Sequence, residues 1–161
     1  MKRSRDTNAL ISIGIVGLII LFGAPQTLDL FGIISLTTAV SLAILALSLG
    51  LIWGFGGILC FGQTAFFGIG AYAYAIAALN FGGSTGAIVL AIVVAGAAAA
   101  ILGYFMFYGR LSDVYLAVIT LTVTLILYSV IRRTSGPEYK IGIAKLGGFN
   151  GINVPPINYP W

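Results

Sequence analysis

The middle of the chain reads Gly54-Phe-Gly-Gly-Ile-Leu-Cys-Phe-Gly-Gln-Thr-Ala-Phe-Phe-Gly-Ile-Gly70, and this glycine-rich stretch decides the fold class. It lies within residues 30–109, which contain no charged side chain. A run of that length offers nothing to face water, so it excludes a soluble domain. Glycine is tolerated at membrane depth where helices touch or where a broken helix lines an enclosed cavity. The stretch therefore predicts a membrane protein whose centre is built for close packing or passage.

The composition of the whole chain agrees with this prediction. Of its 161 residues, 60% are apolar and 7% are charged, which is typical of a polytopic membrane protein. Each crossing helix needs roughly 20 residues, so the chain has room for about five. We predict an all-α helix bundle of about five transmembrane helices, forming a single membrane domain over residues 1–161. The net charge of +4 is interpreted as a topology signal, and no nucleic acid partner is expected.

The residues that usually carry enzyme chemistry are scarce. The chain has no histidine, one cysteine and four carboxylates, so disulfides, cysteine–histidine metal sites and histidine-based catalysis are excluded. Cys60 lies in the apolar stretch and is interpreted as a packing residue rather than a nucleophile. We therefore expect no catalytic, cofactor or metal site, and no enzyme activity.

Hydropathy and turn signals divide the chain into predicted spans. The basic start, Met1-Lys-Arg-Ser-Arg5, places the N-terminus in the cytoplasm. Phe22 occupies a position where signal-peptide cleavage wants a small residue, so we expect this first segment to be retained as a span. Residues 134–161 are predicted to form a non-spanning polar tail rich in glycine and proline. The predicted spans cover residues 10–22, 33–53, a third continuing through 66–79, then 87–107 and 114–131.

Gly54 to Gly62 fits three interpretations: a loop, a re-entrant segment, or the broken start of the third span. The segment also has the spacing of a phosphate-binding loop, but Gln63 replaces the lysine that would reach the phosphates, so nucleotide binding is not expected. Gln63 and Thr64 are uncommon polar groups at membrane depth. They either bond to a neighbouring helix or touch a polar solute.

Three polar residues share one face of the fifth predicted span: Thr120, Thr124 and Tyr128. Threonine hydroxyls commonly bond back to their own helix or to a neighbour. The alternative is that they line a pathway. Arg132 and Arg133 follow directly, and alternation from a cytoplasmic start places them outside, in conflict with the positive-inside rule.

Three blocks of sequence carry a resemblance to a known family. Gly57-Ile-Leu-Cys-Phe-Gly-Gln-Thr-Ala-Phe-Phe-Gly-Ile-Gly-Ala-Tyr72 resembles the "GQLSLGHAAFFGIGAY" signature of inner-membrane permeases from ABC importers for branched-chain amino acids. Residues 110–121 resemble that family's "RLRGxYLAIVTL" stretch, and residues 147–152 resemble its "GGxNGI" stretch. Cys60 stands where the family often has serine, and Gln63 where it often has histidine.

The resemblance implies a bacterial inner-membrane permease that works with a second permease subunit, two ATP-binding subunits and an external solute-binding protein. ATP would be used by the partners and not by this chain. The resemblance also places residues 147–152 outside, where Arg132 and Arg133 could dock the binding protein; snorkelling to lipid headgroups is the alternative. The candidate pathway and packing residues are Gly57, Gly62, Gln63, Thr64, Gly68, Gly70, Thr120 and Thr124.

Two other functions stay open from the sequence. The chain covers about the first half of such a permease, so it is either a non-transporting fragment or half of a pathway. A small stand-alone carrier or channel that oligomerises would also explain the glycines and the length. Urea and short amides are alternative solutes, because their permeases have similar blocks.

Overall fold

The computed structural model describes residues 2–109 and 112–157. Five helices precede a small hairpin in this part of the chain, which confirms the prediction of an all-α polytopic bundle. Their order along the chain is α1 (Lys2–Thr27), α2 (Leu30–Gly56), α3 (Gln63–Phe81), α4 (Ser84–Tyr108), α5 (Asp113–Arg133), β1 (Ser135–Ile141), β2 (Ala144–Gly147) and a short 3-10 turn (Gly148–Asn150).

Four of these helices, α2 to α5, are long and apolar enough to cross a membrane. α1 contains a shorter apolar stretch, Gly14–Ala24. Each of α2, α4 and α5 extends one to three residues beyond its predicted span at each end, because a helix keeps its backbone hydrogen bonds after leaving the hydrocarbon layer.

The chain forms two compact units, Met1–Ile44 and Leu45–Trp161. The single membrane domain expected over residues 1–161 stays a prediction. The remaining description concerns the second unit, which holds the end of α2 and everything that follows.

Small side chains bring α3 and α4 together. Ala77 and Ala87 are 1% and 0% exposed and form a core cluster with Ala78. Further along, a Cβ added to Gly70 would lie 3.6 Å from the Cβ of Ala95. Residues with little or no side chain let the two backbones approach closely, which is how helices associate in a bilayer without a hydrophobic driving force.

Small residues of α2 and α3 are only partly used in helix contacts inside this unit. Ala75 and Ala78 are buried, but Ala71, which follows the same helical spacing, is exposed. A Cβ added to Gly50 or Gly54 would meet no heavy atom within 4 Å. These two glycines, four residues apart on one helix face, therefore make no close helix contact in the described part of the chain.

Glycines and charges mark the helix ends. Gly57 has a left-handed φ of +68° and its N–H bonds the carbonyl of Trp53, which ends α2; Gly82, with φ +67°, ends α3 in the same way. Asp113 opens α5, and Arg132 and Arg133 lie in its last turn. The negative charge at the start of α5 and the positive charges at its end interact favourably with the helix dipole.

The predicted polar tail forms an antiparallel hairpin of β1 and β2, in which Ile141 pairs with Ala144 and Ser135 pairs with Gly147. The hairpin lies at the end of the unit where α3 and α5 finish, because Asn80 near the end of α3 bonds its turn. We call this the hairpin end, and we call the end with Gly56 and Asp113 the opposite end.

Candidate functional site

A short non-helical segment, residues 57–62, separates α2 from α3. Two hydroxyls of α5 lie against its backbone at Phe61. The N–H of Phe61 donates to Oγ1 of Thr120 at 3.1 Å. The hydroxyl of Thr124 donates to the carbonyl of Thr120 at 2.7 Å and also lies 3.3 Å from the carbonyl of Phe61. Non-helical backbone cannot face lipid with its polar groups unpaired. Thr120 therefore helps to make the break tolerable by pairing the N–H of Phe61.

The positions of Thr120 and Ser48, which bond Phe61 and Gln63, show that this break lies inside the bundle. Thr120 lies seven residues after Asp113, or about 10 Å into α5 at the rise of an α-helix. Ser48, which bonds Gln63, lies eight residues before the end of α2, or about 12 Å from it. α3 thus begins about two turns in from the opposite end. Of the three interpretations of Gly54 to Gly62, the structure fits a broken start of the third span that turns back into the bundle.

Gly62 allows the break to pack against α5. A Cβ at this position would lie 3.3 Å from the Cβ of Thr120, 3.4 Å from Cε2 of Phe66 and 3.5 Å from Sγ of Cys60. These distances leave no room for a larger residue without movement. Thr120 itself is 3% exposed and also donates within its own helix, toward the carbonyl of Leu116 at 2.9 Å.

Gln63 ties the start of α3 to α2. Its Nε2 donates to Oγ of Ser48 at 2.6 Å, in a half-buried setting. This contact supports the interpretation of Gln63 as a hydrogen-bonding residue between helices. The adjacent Thr64 is exposed, and it lies on the wall of a cleft between α3 and α5.

A cleft of about 350 Å³ separates α3 from α5. This volume lies near the lower end of the roughly 300–1,000 Å³ typical of small-molecule sites. Its lining is mostly aliphatic, with hydroxyl-bearing residues distributed along it. The lining residues are Thr64, Ala65, Gly68, Ile69, Tyr72, Thr124, Leu125, Leu127, Tyr128 and Ile131.

At the hairpin end, the 3-10 turn contacts both walls of the cleft. This turn packs on α5, and the carbonyl of Gly148 accepts a hydrogen bond from the hydroxyl of Tyr72 on α3 at 3.4 Å. Because Tyr72 lines the cleft, the turn connects the two walls. At the other end, the carbonyl of Phe61 lies 3.3 Å from the hydroxyl of Thr124, which also lines the cleft.

A second cavity, of about 170 Å³, lies behind the break. Its walls are almost wholly apolar and include Cys60, Phe66, Met106 and Thr120. The hydroxyl of Thr120 is already bonded to backbone groups. This cavity therefore offers a solute little polar contact.

The predicted site residues divide into three groups. Gly62, Thr64, Gly68, Thr120 and Thr124 meet around the break and the cleft. Gly57 ends α2, and Gly70 packs on α4. Arg132 and Arg133 lie at the hairpin end, away from the break. Their roles in a pathway or in docking stay predictions.

Sequence reasoning did not single out three residues that hold this site together: Ser48, Tyr72 and Asn80. Asn80 gives a local signal, since it is a lone amide at the end of an apolar helix, but its partners in the hairpin are 61 and 63 residues away. Ser48 and Tyr72 gave none, because their partners, Gln63 and Gly148, are 15 and 76 residues away.

Comparison with known proteins identifies the family. Residues 32–149 match the model of a family described as branched-chain amino acid transport system, permease component. The match covers α2 to α5, the break and the hairpin. No curated protein and no solved structure matches the chain. The match spans most of the chain and the whole of the cleft, so this chain belongs to the family of branched-chain amino acid transport permease components.

Proposed function

We propose that this chain is the membrane-spanning permease subunit of an ABC importer, and that the cleft between α3 and α5 forms part of the solute path. The observation that carries the proposal is the cleft itself, which is contacted at one end by the 3-10 turn and at the other by the backbone of Phe61. A path of this kind can be opened toward one side of the membrane at a time.

The lining suits a small amphipathic solute such as a branched-chain amino acid. Its aliphatic surface can contact an apolar side chain, and the hydroxyls of Thr64 and Tyr128 can contact polar groups. The first turn of α3 begins beside the cleft at Thr64. The partial positive charge of a helix N-terminus favours the carboxylate of an amino acid there.

The family assigns the chain to a transport system with further subunits. We propose a second permease subunit, two ATP-binding subunits and an external solute-binding protein as partners. ATP would be hydrolysed by the ATP-binding subunits, and this chain would hold no cofactor and make or break no covalent bond. The exposed faces at Gly50 and Gly54 are available for contact with the second subunit or with lipid.

The proposed location is the bacterial inner membrane, with the N-terminus in the cytoplasm. Alternation then places the hairpin end outside. Described residues 132–145 carry four basic side chains and one carboxylate, Glu138. This positive surface supports docking of an acidic region of the binding protein.

The test is uptake by cells that express the chain with its partner subunits. Labelled leucine should be taken up, and competition by leucine, urea and a sugar should identify the solute class. Gly68→Trp fills the cleft at a position where an added Cβ meets nothing within 4 Å. We expect it to reduce uptake at least about tenfold, the loss typical of an obstructed binding site.

Gly86→Trp is the matched control, because Gly86 is also free of neighbours within 4 Å but lies outside the cleft lining. It should leave uptake unchanged. Equal uptake by the two variants would contradict a path through the cleft. Transport in liposomes without ATP-binding subunits would indicate an independent carrier.

A further inference from the structure

The side chain of Asn80 makes three hydrogen bonds, two of them to the hairpin. Its Nδ2 donates to the carbonyls of Ile76 at 2.8 Å and Ile141 at 3.0 Å, and its Oδ1 accepts from the N–H of Ile143 at 2.9 Å. Ile141 and Ile143 flank the turn of the hairpin. One amide thus fastens that turn to the end of α3.

The turn is shaped around this amide. Gly142, between the two bonded residues, has a φ of +63°, and a Cβ there would clash with Oδ1 of Asn80. Glycine is required both by the left-handed backbone and by the close approach. Asn80 and Gly142 therefore form one fitted contact.

The rest of the segment follows the hairpin as a compact piece. A Cβ on Gly147 would clash with the carbonyl oxygen of Gly151, so the chain folds tightly back on itself here. Beyond it, Val154 packs on the cluster of Ala77, Ala78 and Ala87. We call residues 135–154 the cap, since they include the 3-10 turn that contacts both walls of the cleft.

A second hydrogen bond between α3 and the cap is weak. The bond from Tyr72 to Gly148 is 3.4 Å long, near the limit for a hydrogen bond. The buried hydroxyl of Tyr74 has no hydrogen-bond partner among the described residues, and its side chain shares a cavity with Ile152 and Val154. An unpaired buried hydroxyl disfavours the closed arrangement, and opening would let it bond to water.

The cap is attached to α5 through a glycine with an unusual backbone angle. Gly136 has a φ of +139°, and the strand pairing is irregular between Ser135 and Lys140. Both features lie directly after α5. A change of backbone angles at this point would move the cap without disturbing the helix.

We propose that the cap opens and closes the hairpin end of the cleft, and that Asn80 is the residue that sets the population of the closed state. The proposal rests on the proposed function only in treating the cleft as a solute path. Movement of the cap is measurable without transport.

The first test measures access to the cleft. Gly68→Cys is introduced with Cys60→Ser, which removes the chain's own thiol, and a charged methanethiosulfonate is supplied on both sides of native membranes. Asn80→Ala should raise the rate of thiol modification about 5- to 100-fold, the effect of losing two ordinary hydrogen bonds from the closed state. Asn150→Ala, an exposed amide on the cap itself, should leave the rate unchanged.

The second test separates release of the cap from unfolding. Hydrogen exchange should become faster in Asn80→Ala at residues 135–154 and stay unchanged in α3 from 63 to 76. Equal thiol modification in Asn80→Ala and Asn150→Ala would overturn the proposal, as would faster exchange throughout α3. Equal uptake by Gly68→Trp and Gly86→Trp, with these two results intact, would count against the proposed function alone.

Discussion

At the scale of single residues, Thr120 shows how one hydroxyl can serve two elements. It donates within its own helix and accepts the N–H of Phe61 from a segment 59 residues away. The sequence predicts the first role, because Thr120 and Thr124 share a face and threonine often bonds back to its helix. It cannot predict the second, since nothing local indicates which backbone group will arrive there.

Replacing the Thr120 hydroxyl measures its contribution to the free energy of unfolding. Thr120→Val keeps the shape and leaves the Phe61 N–H unpaired, so the free energy of unfolding should fall by about 1–3 kcal/mol. Thermal unfolding in detergent measures the change. Thr122→Val is the matched control, because the Thr122 hydroxyl bonds only the carbonyl of Val118 in its own helix and is exposed. Equal effects of the two substitutions would refute the role assigned to Thr120.

At the scale of elements, the break and the hairpin were predictable to different degrees. Glycine spacing located the break at Gly54 to Gly62 but left three geometries open, since the depth of the segment depends on contacts with Ser48 and Thr120. The hairpin was not anticipated. β1 contains a glycine and a proline, which are typical of loops, and its docking depends on Asn80 in another element.

The contact between α2 and α3 can be isolated by a double-mutant cycle. Ser48→Ala and Gln63→Leu should show a coupling energy of about 0.6 kcal/mol and at most about 1.7 kcal/mol, the range found for hydrogen bonds between membrane helices. Reversible unfolding in detergent gives the four free energies. Pairing Gln63→Leu with Ser129→Ala, an exposed serine on α5, should give no coupling. Coupling of equal size in both cycles would mean that the hydrogen bond between Ser48 and Gln63 contributes no energy specific to that pair.

At the scale of the whole molecule, composition is sufficient to predict the fold class. Residues 30–109 contain no charged side chain, so they have no surface suited to water and fold inside a membrane. The sidedness is harder to predict. The charges that alternation places on each side are equal in number: residues 2, 3, 5 and 110 on one, and 132, 133, 140 and 145 on the other. The positive-inside rule therefore gives no preference here.

The positive hairpin end leads to a prediction about assembly. Changing Arg132 and Arg133 together to Glu in the complete importer should weaken docking of the binding protein at least about tenfold at low salt, with less effect at high salt. Surface plasmon resonance on the reconstituted complex measures this. The double change to Lys keeps the charge and should dock nearly as well. If the Glu and Lys variants dock the binding protein equally well, the arginines contact lipid headgroups and not the binding protein.

Two contacts at the ends of the cleft involve the same helix, α5, at different heights. Phe61 lies beside Thr124, and the 3-10 turn packs on α5 near the hairpin. A helix of 21 residues is about 32 Å long, so a tilt of about 10° about its midpoint moves its two ends about 3 Å in opposite directions. Thr124 lies next to this midpoint and would stay in place beside Phe61. A tilt of α5 would therefore shift its contact with the 3-10 turn while the helix break stays anchored, so the two ends of the cleft would be mechanically independent.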